Sequence, residues 1–166
     1  MIVGWRLDEE ISDEFLQMLD SVCRKDARIV AAFMGKYQNY EESIKKYPLL
    51  AANSRCLGAQ EDALAVTECM DLYVNPKRNG GGSSVAEALY KGLPAVTLPV
   101  GDVSAAAGES FRVADYGEMA ETILHFASDE DYYERMSRLA EERAEQLMDS
   151  KNSFCGVIDE LEQDMN

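Results

Sequence analysis

The sequence lacks the residues from which metal sites and disulfide frameworks are usually built. His125 is the only histidine, and the four cysteines are scattered without a C-x-x-C pair. This pattern argues against a zinc site and against a small disulfide-stapled fold. Long apolar runs are also missing, because the longest, Ile29–Met34 and Leu93–Val100, are far shorter than the roughly 20 residues of a membrane-spanning helix. With no signal peptide before the first apolar run, we expect a cytoplasmic protein.

Basic residues are scarce as well. The chain has 16 lysines and arginines against 31 acidic residues, for a net charge of −15. Such a surface repels polyanions, so we expect no nucleic-acid partner. The exception lies between residues 75 and 91, where Lys77, Arg78 and Lys91 accompany the single acid Glu87. A small basic region on an acidic protein indicates a local site for an anion.

Short apolar runs alternate with amphipathic segments along most of the chain. This alternation predicts an α/β fold, a Rossmann-like three-layer α/β/α arrangement with a parallel sheet of about six strands and C-terminal helices. The predicted strands are Ile2–Gly4, Arg28–Met34, Ser54–Leu57, Asp71–Asn75, Pro94–Pro99 and Phe111–Val113. The predicted helices are Ile11–Cys23, Tyr40–Tyr47, Glu61–Met70, Ser83–Lys91, Tyr116–Ala127 and Tyr132–Met148, with caps at Asp115 and Ser128.

The most informative segment is a glycine run that follows the fourth predicted strand. Gly80, Gly81 and Gly82 are followed by Ser83 and Ser84, which open a predicted helix. Glycines let the backbone approach a ligand closely, and the free N–H groups at a helix N-terminus favour an anion. The pattern therefore predicts a phosphate site, although a flexible turn with a serine cap would have the same composition.

Three charged residues flank this loop. Lys77 and Arg78 precede it and are candidate phosphate donors, or else solvated surface residues. Glu87 lies one turn inside the predicted helix among apolar neighbours, where its carboxylate could bind the paired hydroxyls of a ribose.

The common phosphate motifs do not fit this loop. The sequence has no G-x-x-x-x-G-K-[ST], and a dinucleotide fingerprint would need a glycine where Val85 stands. Asp102 lies at a suitable distance along the chain to bind a ribose in such a site. A hydride-transfer enzyme therefore stays an alternative.

The same residues resemble a known family. Val74–Pro76, Gly80–Gly82, Glu87–Leu89 and Lys91–Val96 are similar to the donor-binding segment of GT-B glycosyltransferases of the glycosyl transferases group 1 type. Val3-Gly4 with Arg6, where Trp5 is an extra residue, is similar to the opening strand and loop of that domain. The resemblance covers most of residues 2–147 and implies one half of a GT-B fold.

The resemblance implies roles for individual residues. The backbone of Gly81, Gly82, Ser83 and Ser84 would hold a diphosphate, Glu87 would bind the ribose, Arg6 would reach toward phosphate, and the loop from Gly58 to Gln60 would border the base.

Two departures from the family pattern affect these roles. Asn79 stands where many members have a glutamate that contacts the donor sugar, and Asp8–Glu10 replace the phosphate-neutralising lysine. Lys77 and Arg78 are the candidates to replace that charge.

The resemblance also implies an activity. We expect metal-independent transfer of a sugar from a UDP-sugar or GDP-sugar, without a cofactor, to an acceptor glycan, lipid or protein. The D-x-D pattern at Asp129–Asp131 is interpreted as a helix start, and no catalytic base is assigned.

The predicted domain organisation follows from the same resemblance. Residues 1–150 would form the donor-binding domain, and residues 151–166 a helix that packs on an absent N-terminal domain. That domain would bind the acceptor and make any peripheral membrane contact, so this chain alone would be inactive. A degenerate nucleotide-binding or interaction module and a GT-B-like nucleotide-sugar epimerase are the alternatives.

Overall fold

The computed structural model describes residues 1–149. The helix predicted for 151–166 lies outside the described residues. Within them no helix is both long enough and apolar enough to cross a membrane.

The centre of the fold is a parallel sheet of short strands. They are β1 Ile2–Gly4, β2 Ala31–Gly35, β3 Ser54–Gly58, β4 Tyr73–Val74 and β5 Ala95–Val96. β2 pairs with β1 and β3, and β4 pairs with β5, all in parallel. The two groups are joined because the Val74 N–H donates to the Met1 carbonyl at 2.8 Å and the Met1 nitrogen donates to the Leu72 carbonyl. The order across the sheet is therefore β3-β2-β1-β4-β5, as in Rossmann-like folds.

The sixth predicted strand, Phe111–Val113, is shorter than expected. A 3₁₀ turn occupies Glu109–Phe111, and only one parallel bridge forms beyond β5, between Thr97 and Arg112. Phe111 belongs to this turn and is not extended, so within residues 1–149 the sheet has five strands and not six.

Nine helices surround the sheet within residues 1–149. They are α1 Leu7–Glu10, α2 Asp13–Lys25, α3 Tyr40–Ile44, α4 Pro48–Ala52, α5 Ala63–Thr67, α6 Gly82–Tyr90, α7 Gly101–Ala107, α8 Tyr116–Ser128 and α9 Glu130–Met148. α2 packs against α4 and α8, and α6 packs against α7 and α9. The result is the predicted three-layer α/β/α architecture. α1, α4 and α7 were not predicted.

Side-chain caps explain where several helices begin. Ser12 accepts the Phe15 N–H at 3.2 Å at the start of α2, and Asp115 accepts the Glu118 N–H at 2.9 Å at the start of α8. The prediction of Ser128 as the cap of α9 is wrong: Asp129 accepts the Tyr132 N–H at 2.8 Å. Asp129 can do so because its backbone is extended, whereas Ser128 still belongs to α8.

Asp20 is a buried acid in α2 that holds the start of α4. Its Oδ1 accepts the Leu49 and Leu50 N–H groups, both at 2.9 Å, and its Oδ2 accepts from the exposed Arg24 at 3.1 Å. We expect Asp20→Ala to lower the free energy of unfolding by about 2–3 kcal/mol, because two charge-assisted hydrogen bonds are lost. Arg24→Ala is the control and should cost less than about 1 kcal/mol, because Arg24 is solvated. Urea unfolding measures both, and equal losses would contradict the capping role.

Candidate functional site

The strand order places a crevice at the carboxyl ends of β1 and β4. β1 continues to β2 on one side and adjoins β4 on the other, and ligands of such sheets bind where the order reverses in this way. A cavity of about 430 Å³ opens at this point. Its lining includes Gly4 at the end of β1 and Trp5 after it, Ala59 and Gln60 after β3, Gly81 to Ser84 at the start of α6, and Asp102 in α7.

Gly81 has the backbone conformation on which the loop depends. Its φ is +113°, in the region that favours glycine, and it caps α6. A Cβ at Gly81 would lie 2.9 Å from Asn75 Oδ1, 3.1 Å from Arg78 Nη2 and 3.2 Å from the Tyr73 hydroxyl oxygen. The loop therefore has no space for a side chain here.

The start of α6 presents backbone donors to the cavity. The first intrahelical bond runs from the Val85 N–H to the Gly81 carbonyl at 2.9 Å. The N–H groups of Gly82, Ser83 and Ser84 precede it and have no acceptor within the helix. All three residues line the cavity. The predicted phosphate loop thus lies where a ligand of the sheet would bind.

The buried hydroxyl of Tyr73 contacts the glycine loop from the core side of the fold. The Tyr73 hydroxyl lies 2.9 Å from Ser84 Oγ and donates to Asn75 Oδ1 at 3.2 Å, while Ser84 Oγ donates to the Gly81 carbonyl at 3.0 Å. Burial raises the pKa of Tyr73, so the hydroxyl keeps its proton. Sequence reasoning missed Tyr73 and Asn75. A polar side chain at the end of an apolar predicted strand is the sequence signal that could have identified them.

Arg78 connects the loop to the first strand. Its Nε donates to Asn75 Oδ1 at 2.9 Å, its Nη1 to Glu10 and its Nη2 to the Val3 carbonyl. The Arg78 side chain is 6% exposed, and Glu10 is 13% exposed. Arg78 lines the cavity, and its charge is paired with Glu10, which sequence reasoning did not identify as a partner.

Three further candidate residues of the glycine loop and α6 lie outside the cavity lining. Lys77 is exposed, and its backbone N–H donates to the Tyr116 hydroxyl at 3.0 Å. Asn79 is exposed, and its carbonyl accepts the Asp102 N–H at 3.2 Å. Glu87 is exposed on α6 and does not contact the cavity.

Arg6 and Gly58 flank the cavity without lining it. Arg6 is exposed, and its guanidinium lies 3.7 Å from Glu10 and 3.9 Å from Glu9. Gly58 ends β3 with a φ of +68°, and the residues that follow it, Ala59 and Gln60, do line the cavity.

Trp5 and Asp102 are prominent in the cavity lining. Trp5, which is an extra residue relative to the family pattern, is 71% exposed at the rim. Asp102 lies near Gly82, where an added Cβ would be 3.0 Å from Asp102 Oδ2. Within residues 1–149 no three His, Cys, Asp or Glu side chains are grouped so that they could hold a metal ion.

Several solved glycosyltransferase structures share this fold. A TarM mutant of S. aureus in complex with fondaparinux, alpha-GlcNAc-glycerol and UDP is 18% identical, with a TM-score of 0.71 over 86% of this chain and 31% of its own. An O-GlcNAc transferase mutant of Thermobaculum terrenum is 15% identical, with a TM-score of 0.79 over 99% of this chain and 35% of its own. HepE of Anabaena in complex with UDP is 16% identical, with a TM-score of 0.73 over 98% of this chain and 48% of its own.

These three proteins resemble the chain in fold, whereas their sequences are only 15–18% identical to it. The chain spans between 31% and 48% of the length of those three structures. No curated protein sequence matched the chain. The family comparison is direct: residues 2–129 match the family described as glycosyl transferases group 1, and the chain belongs to that family.

Proposed function

We propose that this chain is the donor-binding domain of a glycosyltransferase. Residues 1–150 would bind a nucleoside diphosphate sugar, either a UDP-sugar or a GDP-sugar, and the sugar would pass to a glycan, lipid or protein without a metal ion. The acceptor would be held mainly by another domain, because the chain spans less than half of the GT-B structures that it resembles.

The observation that carries this proposal is the position of Gly81–Ser84. Three residues whose backbone N–H groups have no intrahelical partner line the cavity at the point where the strand order reverses. Such groups can donate hydrogen bonds to the two phosphates of a nucleotide sugar, and they would stabilise the negative charge that grows on the departing diphosphate.

Arg78 would supply the positive charge that the family usually takes from a lysine after the first strand. Asp8–Glu10 occupy that part of the chain, but Arg78 reaches the same place from the loop after β4 and bonds the Val3 carbonyl. A guanidinium has five N–H donors, and described residues accept three bonds from Arg78, so donors are left for a phosphate.

A degenerate nucleotide site is the second candidate, and the charges of the cavity favour it. The lining contains one cation, Arg78, and two acids, Glu10 and Asp102. A diphosphate would meet a site whose side chains are net negative, and only the backbone donors and the helix dipole oppose this repulsion. Nucleotide affinity decides between the two candidates.

We expect UDP or GDP to shift the backbone amide signals of residues 80–84 saturably in NMR titrations, and ADP and NAD to have little effect. The family resemblance implies that Glu87, although outside the cavity lining, reaches the ribose of the nucleotide, so Glu87→Ala should weaken nucleotide affinity about 10-fold or more through the loss of a charge-assisted hydrogen bond. Glu121→Ala, which removes an exposed glutamate of α8, is the control and should leave the affinity unchanged. No shift with any nucleotide would favour the degenerate site, and tight binding of NAD would favour a hydride-transfer enzyme.

A further inference from the structure

A second, smaller cavity adjoins the cavity at the start of α6, which is called the donor cavity below. The two cavities share one lining residue. The second cavity has a volume of about 340 Å³, and it lies between the loop after β1 and the loop after β2. Trp5 lines both cavities, so it stands at their boundary. The rest of the lining is polar: Arg6, Asp8, Glu9, Lys36, Gln38 and Asn39.

The polar wall is built on a fixed backbone. Asp8 accepts the Asn39 N–H at 2.7 Å and the Gln38 N–H at 3.0 Å, and these two bonds hold the pKa of Asp8 below its ordinary value. The loop after β2 is therefore tied to α1. Among residues 1–149 no group bonds the side-chain amides of Gln38 and Asn39, so their donors and acceptors stay open to a ligand.

Trp5 supplies the apolar part of the same cavity. It is the only tryptophan of the chain, and 71% of it is exposed. An indole combines a large rigid apolar face with a polar N–H, which is why tryptophan is enriched at interfaces. The face of a pyranose ring that carries axial C–H groups fits against an indole, while its hydroxyls need the amide and charged groups that surround Trp5 here.

We propose that this second cavity is a carbohydrate subsite, in which a sugar ring stacks on Trp5 and its hydroxyls bind the side chains of Gln38 and Asn39. The inference rests on the proposed function for its biological meaning, because the subsite adjoins the donor cavity and would then hold the acceptor. It selects a glycan over a lipid or a peptide as the acceptor class. A protein-docking surface would instead be expected to have a contiguous apolar centre, whereas Trp5 is the one apolar side chain in this lining.

The single tryptophan makes the test specific. Its indole N–H gives one signal in the proton–nitrogen spectrum of the chain, and this signal reports on both cavities. We expect methyl glycosides of glucose, galactose or N-acetylglucosamine to shift the indole signal saturably, with a dissociation constant of about 1–10 mM for a single ring. Sorbitol, which has the hydroxyls without the ring, should not shift it. The shift should also occur when the chain is saturated with UDP.

Two matched glutamine variants separate the two cavities. Of these two cavities, Gln38 lines only the second, and Gln60 lines only the donor cavity. We expect Gln38→Ala to weaken glycoside binding about 3- to 10-fold without changing UDP binding, as the loss of one hydrogen bond predicts. Gln60→Ala should leave glycoside binding unchanged.

Three outcomes would overturn the inference. One is UDP binding without any indole shift by the glycosides, which leaves the proposed function intact. Another is a glycoside shift that Gln38→Ala does not weaken. The third is an indole signal that moves with protein concentration alone, which identifies a protein-docking surface. If glycosides bind and no nucleotide does, the proposed function fails and the subsite stands.

Discussion

Gly81→Ala is expected to lower both the stability of the domain and its affinity for UDP. A side chain at a φ of +113° is strained, and the new Cβ would displace Asn75 Oδ1, which lies 2.9 Å from its position. Strain of this kind costs about 1–3 kcal/mol. Because Asn75 Oδ1 also accepts from Arg78, the loop would shift, and UDP affinity should fall more than about 10-fold, the equivalent of about 1.4 kcal/mol. Urea unfolding and UDP titration measure the two effects.

Gly80→Ala is the matched control for this variant. A Cβ at Gly80 meets no atom within 4 Å, and its φ lies outside the positive region. The free energy of unfolding should therefore change by less than about 0.5 kcal/mol, and UDP affinity should be kept. Equal effects of the two substitutions would show that the conformation of Gly81 is not what shapes the site.

Arg78→Met is expected to have the larger effect on stability. The substitution leaves the carboxylate of Glu10, which is 13% exposed, without its hydrogen-bonded partner and with only the exposed Arg6 at 3.7 Å. Removal of one member of a buried ion pair costs about 3–5 kcal/mol. Lys77→Met removes the same charge from the neighbouring exposed residue, so it should leave the free energy of unfolding nearly unchanged.

A double variant separates the structural role of Arg78 from its proposed role in binding. Arg78→Met with Glu10→Gln removes both charges, so most of the lost stability should return. UDP affinity should stay low, because the cation proposed to face the diphosphate is absent. Recovery of UDP affinity in the double variant would mean that Arg78 acts only as a partner of Glu10.

The sequence predicted the fold class well and the small elements poorly. Apolar runs separated by amphipathic segments indicated the parallel sheet, and its first strand was predicted with the correct bounds, Ile2–Gly4. α1 has four residues and α4 has five, which is too few for a helical period to be visible. β4 and β5 have two residues each, so the longer apolar runs around them overstated their length.

The sequence indicated the glycine loop of the candidate site, but it did not indicate the side-chain contacts around that loop. Three glycines followed by two serines are a local pattern, and the structure places Gly81–Ser84 in the cavity lining. The pairing of Arg78 with Glu10 joins residues 68 positions apart, which no local pattern can reveal. Trp5 was also missed, because an exposed aromatic residue in a loop has no periodicity to mark it.

The attachment of the glycine loop has a consequence for the rate at which ligands bind. The Lys77 N–H is bonded to Tyr116 in α8, the Asn79 carbonyl accepts from Asp102 in α7, and Arg78 is bonded to β1. A loop held at three points has little conformational entropy left to lose, so nucleotide association should approach the diffusion limit without a slow ordering phase. Slower hydrogen exchange of the Lys77 amide, which is bonded to Tyr116, than of the amides of Gly82–Ser84 would be the equilibrium counterpart of that rapid association.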